Sequence, residues 1–128
     1  MEAASRGAAA AGGTVVGILP TQDRSYANPY VTVSVTTGMG EMRNTLIVRS
    51  ADALIAVGGE FGTLSEIAFA LKVGVPVIGL GTWELSKAGR PIEAFDAVAT
   101  AKDAVRRALV LAESRTGGSG PRQRQPDA

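Results

Sequence analysis

The feature that most constrains this chain is a rhythm of short Val/Ile/Leu runs, each closed by Gly or Pro, separated by segments with helical spacing. Thr14–Leu19 (TVVGIL) ends at Pro20, Ala53–Val57 (ALIAV) runs into Gly58-Gly59, and Val75–Leu80 (VPVIGL) runs into Gly81. Continuous apolar runs of this length fit strands buried on both faces, the habit of parallel sheets. Val31–Val35 (VTVSV) alternates instead and predicts a strand near a sheet edge, with one face less buried; Ala97–Ala99 is a candidate short last strand. Helices are predicted over the Ala-rich Met1–Ala11 with a stop at Gly12-Gly13, over Glu41–Ser50, over Leu64–Val73 and over Ala101–Glu113. In the third, Leu64, Ile67, Ala68 and Leu71 form one apolar stripe ended by Gly74. In the fourth, Val105, Ala108, Leu109 and Ala112 share a face, and Thr100 with Asp103 resembles a capping pair. Thr21–Pro29 and Gly81–Pro91 read as loops, and residues 116–128 as a disordered tail. The alternation predicts one α/β domain over residues 1–115, with a parallel sheet covered by helices on both faces. In such sheets ligands bind beyond the carboxyl ends of the strands, so the informative residues should follow Leu19, Val35, Val57 and Leu80.

Composition removes several chemistries. The 128 residues contain no Cys and no His, so His-dependent nucleophilic triads, ordinary zinc sites and disulfides are outside this chain's means. Lys+Arg 13 against Asp+Glu 12 leaves a net charge of +1, which argues against a nucleic-acid binder held by phosphate contacts. No apolar run is long enough for a membrane span and the N-terminus lacks a signal-peptide pattern, so a cytoplasmic protein without membrane or nucleic-acid partners is expected.

The strongest chemical signal is Gly58-Gly59-Glu60-Phe61-Gly62-Thr63-Leu64-Ser65-Glu66, which leaves a strand and opens a helix. Gly59 and Gly62 permit backbone angles that a Cβ resists, so the turn can aim free N–H groups, and the positive end of the helix dipole, at an anion. Thr63 adds a hydroxyl. The spacing is neither that of a Walker loop nor that of the usual dinucleotide fingerprint. The same residues fit a plainer description: Thr63-x-x-Glu66 is a capping box that needs no ligand. A second segment, Thr37-Gly38-Met39-Gly40-Glu41-Met42-Arg43-Asn44, also follows a strand end. Arg43 in a first helical turn is unfavourable beside the dipole unless an anion is near; the alternative is a solvated surface Arg.

Taken together, these segments resemble the LOG family, also labelled "possible lysine decarboxylase", within the SLOG/DprA group of Rossmann-like nucleotide-binding proteins. That family's motif is Pro-Gly-Gly-x-Gly-Thr-x-x-Glu, preceded by a Met-x-x-Arg-type segment. Gly59, Gly62, Thr63 and Glu66 match the first, and Arg43 matches the Arg of the second. The resemblance runs from Met1 to about Glu113, with Met1-Glu2-Ala3-Ala4 and Gly7-Ala8 similar to the helix after the family's first Gly-rich loop. Characterised members are nucleoside 5′-monophosphate phosphoribohydrolases, which cleave AMP or cytokinin riboside monophosphates to base and ribose 5-phosphate. By resemblance, Glu66 holds ribose hydroxyls and water and stabilises an oxocarbenium-like state, and Arg43 assists the leaving base. Gly59, Gly62 and Thr63 hold the 5′-phosphate, and Gly58, Phe61, Met39 and Asn44 touch substrate. No metal or cofactor is implied. A pyridoxal decarboxylase is not supported, since Lys72, Lys87 and Lys102 fall away from the motif. The resemblance also implies a homodimer, to which the Glu41–Ser50 helix, Tyr26, Tyr30 and Trp83 are candidates for apolar contacts.

The chain departs from the hydrolase pattern in three ways. Glu60 stands at the second Gly and Gly58 at the Pro; Asn44 follows Arg43 where the hydrolases carry further basic residues; and the family's first two strands have no counterpart before Met1. The last point implies an upstream start, or a gap filled by another chain or by rearranged pairing. This pattern resembles a less characterised branch that includes a carrier of molybdenum cofactor, which binds a pterin phosphate without hydrolysing it. Three readings therefore stand: a phosphoribohydrolase, a non-catalytic nucleotide or molybdenum-cofactor carrier, and an inactive fragment or partner subunit.

Overall fold

The structure, a computed structural model, describes residues 1–117. It consists of two compact units, one ending at Ile47 and one beginning at Val48.

In the first unit, α1 (Glu2–Ala10) is followed by β1 (Val16–Leu19), a short 3-10 turn over Arg24–Tyr26, and β2 (Val33–Thr36). Helix α1 stops at the expected glycines, where Gly12 N–H and Gly13 N–H donate to Ala9 and Ala8 carbonyls at 3.0 and 2.8 Å. β1 and β2 pair in parallel, with Val16 opposite Val33 and Ile18 opposite Val35. The alternation in β2 is real, but its sense is the reverse of a core-facing strand. Val33 and Val35 are exposed, while Ser34 and Thr36 are half-buried. Asn28 ties the intervening loop together. Its amide donates to the buried Ser5 hydroxyl at 3.2 Å, and its side-chain carbonyl accepts from Tyr30 N–H at 3.0 Å. The segment expected as a helix over Glu41–Ser50 divides into a 3-10 turn, Gly40–Arg43, and α2, Asn44–Ser50. Arg43 thus closes a 3-10 turn instead of opening a helix. The positive φ of Gly38 and Gly40 (+61° and +58°) delays the regular helix.

The second unit is an α/β arrangement. β3 (Leu54–Val57), β4 (Val77–Leu80) and β7 (Asp96–Val98) form a parallel sheet in the order β3-β4-β7. Helices α3 (Phe61–Val73) and α4 (Ala101–Gly117) pack against its strands. The stripe of α3 reaches the core through Ile67 and Ala70, both fully buried; Ala68, expected in that stripe, is exposed. Ile67, Val48, Ala56, Ala70, Val75 and Val77 form the core cluster. Each fully buried Ile or Val stabilises the fold by about 1.5–3 kcal/mol. Gly74 ends α3 at φ +78°, as its sequence position predicted.

Three expectations for this unit are corrected. Gly81–Pro91 is not a plain loop: β5 (Leu85–Lys87) and β6 (Arg90–Ile92) form an antiparallel hairpin. Its two-residue turn takes φ +52° at Ala88 and +77° at Gly89, the pairing of positive angles that suits the strand twist. Ala88 lacks the usual Asn or Asp signature, which hid the turn. In α4 the buried face centres on Ala104, and Val105 and Leu109 face outward with 52% and 59% exposure. The Thr100 cap is as expected: its hydroxyl accepts from Asp103 N–H at 3.1 Å and donates to the Asp103 carboxylate at 2.7 Å. Finally, Thr116 and Gly117 belong to α4; the remainder of the expected tail lies outside the described residues.

Candidate functional site

β3 and β4 are parallel neighbours whose last residues, Val57 and Leu80, are register partners. The chain segments that follow them therefore lie side by side at the carboxyl ends of the strands, where open α/β sheets bind ligands. The first is Gly58–Phe61, the second Gly81–Trp83. They are fastened at several points. Gly58 N–H donates to Leu80 carbonyl at 3.0 Å, Thr82 hydroxyl donates to Gly58 carbonyl at 2.5 Å, and Trp83 Nε1–H donates to Glu60 carbonyl at 3.2 Å. The Phe61 and Trp83 rings lie 5.5 Å apart at 35°.

The helix that follows begins three residues before Leu64, at Phe61, with Glu60 as N-cap. This corrects the capping-box description. Thr63 is the third helical residue, not the cap, and no side chain caps the helix. Consequently the N–H groups of Glu60, Phe61, Gly62 and Thr63 are first-turn donors without an intrahelical acceptor. With Gly59 N–H they find no other acceptor among the described residues. Gly58 and Gly59 take φ +54° and +97°. A Cβ on Gly59 would sit 2.1 Å from Thr63 Oγ1, so the Thr63 hydroxyl lies over Gly59, beside these amides. The Glu60 side chain is exposed and does not cap the amides. Glu66 is half-buried one turn beyond Thr63, on the same helical face, and already engages a partner within the chain.

The structure therefore brings Gly58, Gly59, Phe61, Gly62, Thr63 and Glu66 into one loop-and-helix of the second unit. Met39, Arg43 and Asn44 belong to the first. There, Met39 N–H donates to Thr37 hydroxyl at 3.1 Å, while Gly38 and Gly40 N–H groups donate to Thr21 and Pro20 carbonyls. Arg43 is half-buried and its Nε, shielded from solvent, has no hydrogen-bond partner among the described residues. Asn44 continues into α2. Sequence reasoning missed Thr82 and Trp83. Their available signal was a hydroxyl and a lone Trp directly after a Gly-terminated strand, but the fastenings need two strands placed side by side.

A groove of 960 Å³ elsewhere in the second unit is lined by Phe95, Asp96, Arg106, Arg107 and Val110. Both of its arginines already face carboxylates, Arg107 on Asp96 and Arg106 on Asp103, so it offers no unpaired cation to an anion.

No described helix is long and apolar enough to cross a membrane. Residues 1–114 match the SLOG cluster4 family. An uncharacterized protein of Archaeoglobus fulgidus is 50% identical over 80 residues, which cover 62% of this chain and 52% of that protein. The chain thus spans about half the length of this curated relative. Among solved structures, the molybdenum cofactor binding protein of Rippkaea orientalis superposes with TM-score 0.74 at 31% identity, covering 87% of this chain and 70% of that one. The Moco carrier protein of Chlamydomonas reinhardtii gives 0.66 at 32% identity, covering 86% and 70%. These likenesses agree with the Rossmann-like α/β architecture, and they lend nothing to the lysine decarboxylase label. With its match extending over residues 1–114, the chain belongs to the SLOG cluster4 family.

Proposed function

We propose that this chain binds and carries a phosphate-bearing pterin of the molybdenum cofactor type, without turning it over. The observation that carries the reading is the set of amides from Gly59 to Thr63 with no acceptor among the described residues, beside the Thr63 hydroxyl, in a chain over 30% identical to a molybdenum cofactor binding protein. Amides at the positive end of a helix suit a phosphate, which supplies several strong acceptors and negative charge at once. Glu60 points its charge elsewhere in this reading, and Glu66 holds a polar group of the ligand from one turn further along. Association as a homodimer is part of the proposal and is read by sedimentation.

Cofactor released anaerobically from a molybdoenzyme tests the reading. After incubation and desalting, molybdenum and pterin should co-elute with the protein, and Gly59→Ala should abolish retention, because its Cβ collides with Thr63. No retention by the unaltered chain overturns the carrier reading. Free adenine from AMP, lost in Glu66→Gln, would instead establish the phosphoribohydrolase reading that the Gly-Thr-x-x-Glu pattern first suggested.

A further inference from the structure

We infer that Phe61 is the platform on which the planar ring of the ligand stacks, and that Trp83 is the residue positioning that platform. The inference rests on the phosphate-loop reading above and adds what the loop recognises besides phosphate.

Phe61 is 76% exposed, an unusual position for a large aromatic in the first turn of a helix whose Ile67 and Ala70 are fully buried. It is not loose. One of its neighbours is the Trp83 ring at 5.5 Å, and Trp83 itself is anchored twice, by its Nε1–H bond to Glu60 carbonyl and by packing on the core cluster. Glu60 and Phe61 are consecutive, so one indole holds both the backbone just before the platform and the ring of the platform. Thr82, the residue before Trp83, holds Gly58. A rigid exposed ring, adjoining donors suited to phosphate, matches a ligand with a phosphate at one end and a flat heterocycle at the other. Stacking on such a face depends on ring area more than on the pattern of hydrogen-bonding edges.

The probes are GMP, which carries a 2-amino-4-oxopyrimidine ring as a pterin does, and ribose 5-phosphate, which keeps the phosphate and lacks the ring. Titration calorimetry on the whole chain, with Trp83 fluorescence as a second readout, gives the affinities; Trp83 is the chain's single Trp. GMP should bind about tenfold more tightly than ribose 5-phosphate, a modest value for aromatic stacking on a base. Phe61→Ala should remove that advantage and leave ribose 5-phosphate unchanged, and Phe61→Tyr should retain it. Trp83→Phe, which keeps a ring but loses the N–H donor, should reduce the GMP advantage without touching ribose 5-phosphate. Equal binding of the two probes by the unaltered chain overturns the platform. So does a Phe61→Ala variant that keeps the advantage, or one that weakens both probes alike, since the last marks a purely structural role. Failure of both probes to bind the unaltered chain removes the phosphate reading itself and is thereby distinguishable.

Discussion

Every fully buried apolar side chain among the described residues lies at or beyond Val48, whereas the only buried residue up to Ile47 is Ser5, a polar one. The second unit is organised by Ile67, Ile78, Val48 and their neighbours, so its stability comes mainly from apolar surface withdrawn from water. The first unit is organised by a two-strand parallel ladder and by side-chain hydrogen bonds such as Asn28 to Ser5. Val16, Val33 and Val35 lie exposed on its strands, at 55%, 47% and 41%. Two strands with an exposed apolar face are marginal by themselves. Identical composition habits, Val-rich runs beside Gly-rich turns, have thus produced a core in one region and an open ladder in the other.

The largest effect that sharpens this contrast is Ile67→Ala. Removing a side chain with no exposure should cost about 3 kcal/mol, read as a lower urea midpoint. A midpoint within error of the parent would break the assignment of the core to the second unit. Next is Gly79→Ala in β4, where the new Cβ would stand 2.7 Å from the Phe95 ring and 2.8 Å from the Thr82 methyl. Overpacking there should cost about 1–3 kcal/mol by the same measurement. In the first unit, Asn28→Ala removes both bonds of that side chain and should cost about 1–2 kcal/mol, with faster amide exchange in β1 and β2. A loss as large as that of Ile67→Ala would show that polar bonds contribute as much as the apolar core.

The smallest effect concerns Asp23, whose carboxylate accepts Ser25 N–H at 2.8 Å. That backbone bond, reinforced by the Ser25 side chain, holds the carboxyl below its ordinary value of 3.8. Because the folded value is depressed, the contribution is present above pH 3.8 and is lost as pH falls through the lowered folded value. Carboxyl NMR should show Asp23 titrating below its ordinary value of 3.8, and Asp23→Asn should slightly flatten the acid limb of the stability curve. An ordinary titration for Asp23 would contradict the loop geometry.

Much of the fold was legible because local patterns carried it. The runs at Val16–Leu19, Leu54–Val57 and Val77–Leu80 are strands, Gly12 and Gly74 end their helices, and Thr100 caps α4. The errors have physical causes. A capping box can be written at Thr63, yet the chain begins the helix at Phe61 without any side-chain cap. The Ala88-Gly89 turn was hidden, because Ala seldom takes a positive φ. Val105 and Leu109 look like core in a helical projection, yet both lie on the outward face of α4. Of the site, Gly59, Gly62, Thr63 and Glu66 could be read as one motif, whereas Thr82 and Trp83 could not.

By itself, the sequence determined that strands lie at Val16–Leu19, Leu54–Val57 and Val77–Leu80, that Gly12 and Gly74 end helices, and that a Gly-rich turn follows Val57, with Gly59 left-handed, although Gly62, marked for the same freedom, lies in regular helix and Gly58 takes the left-handed angle instead. These are properties of residues within a few positions of one another, set by sterics and hydrogen-bonding range along the chain. Only the tertiary structure decided that Leu80 lies beside Val57, which lets Thr82 and Trp83 grip Gly58 and Glu60 and stands Phe61 out as an exposed ring. Those contacts join residues 23 and 24 positions apart, and the choice among such pairings is made by burying Val77, Ala56 and Ile67 together, a property of the packed unit and of no segment alone.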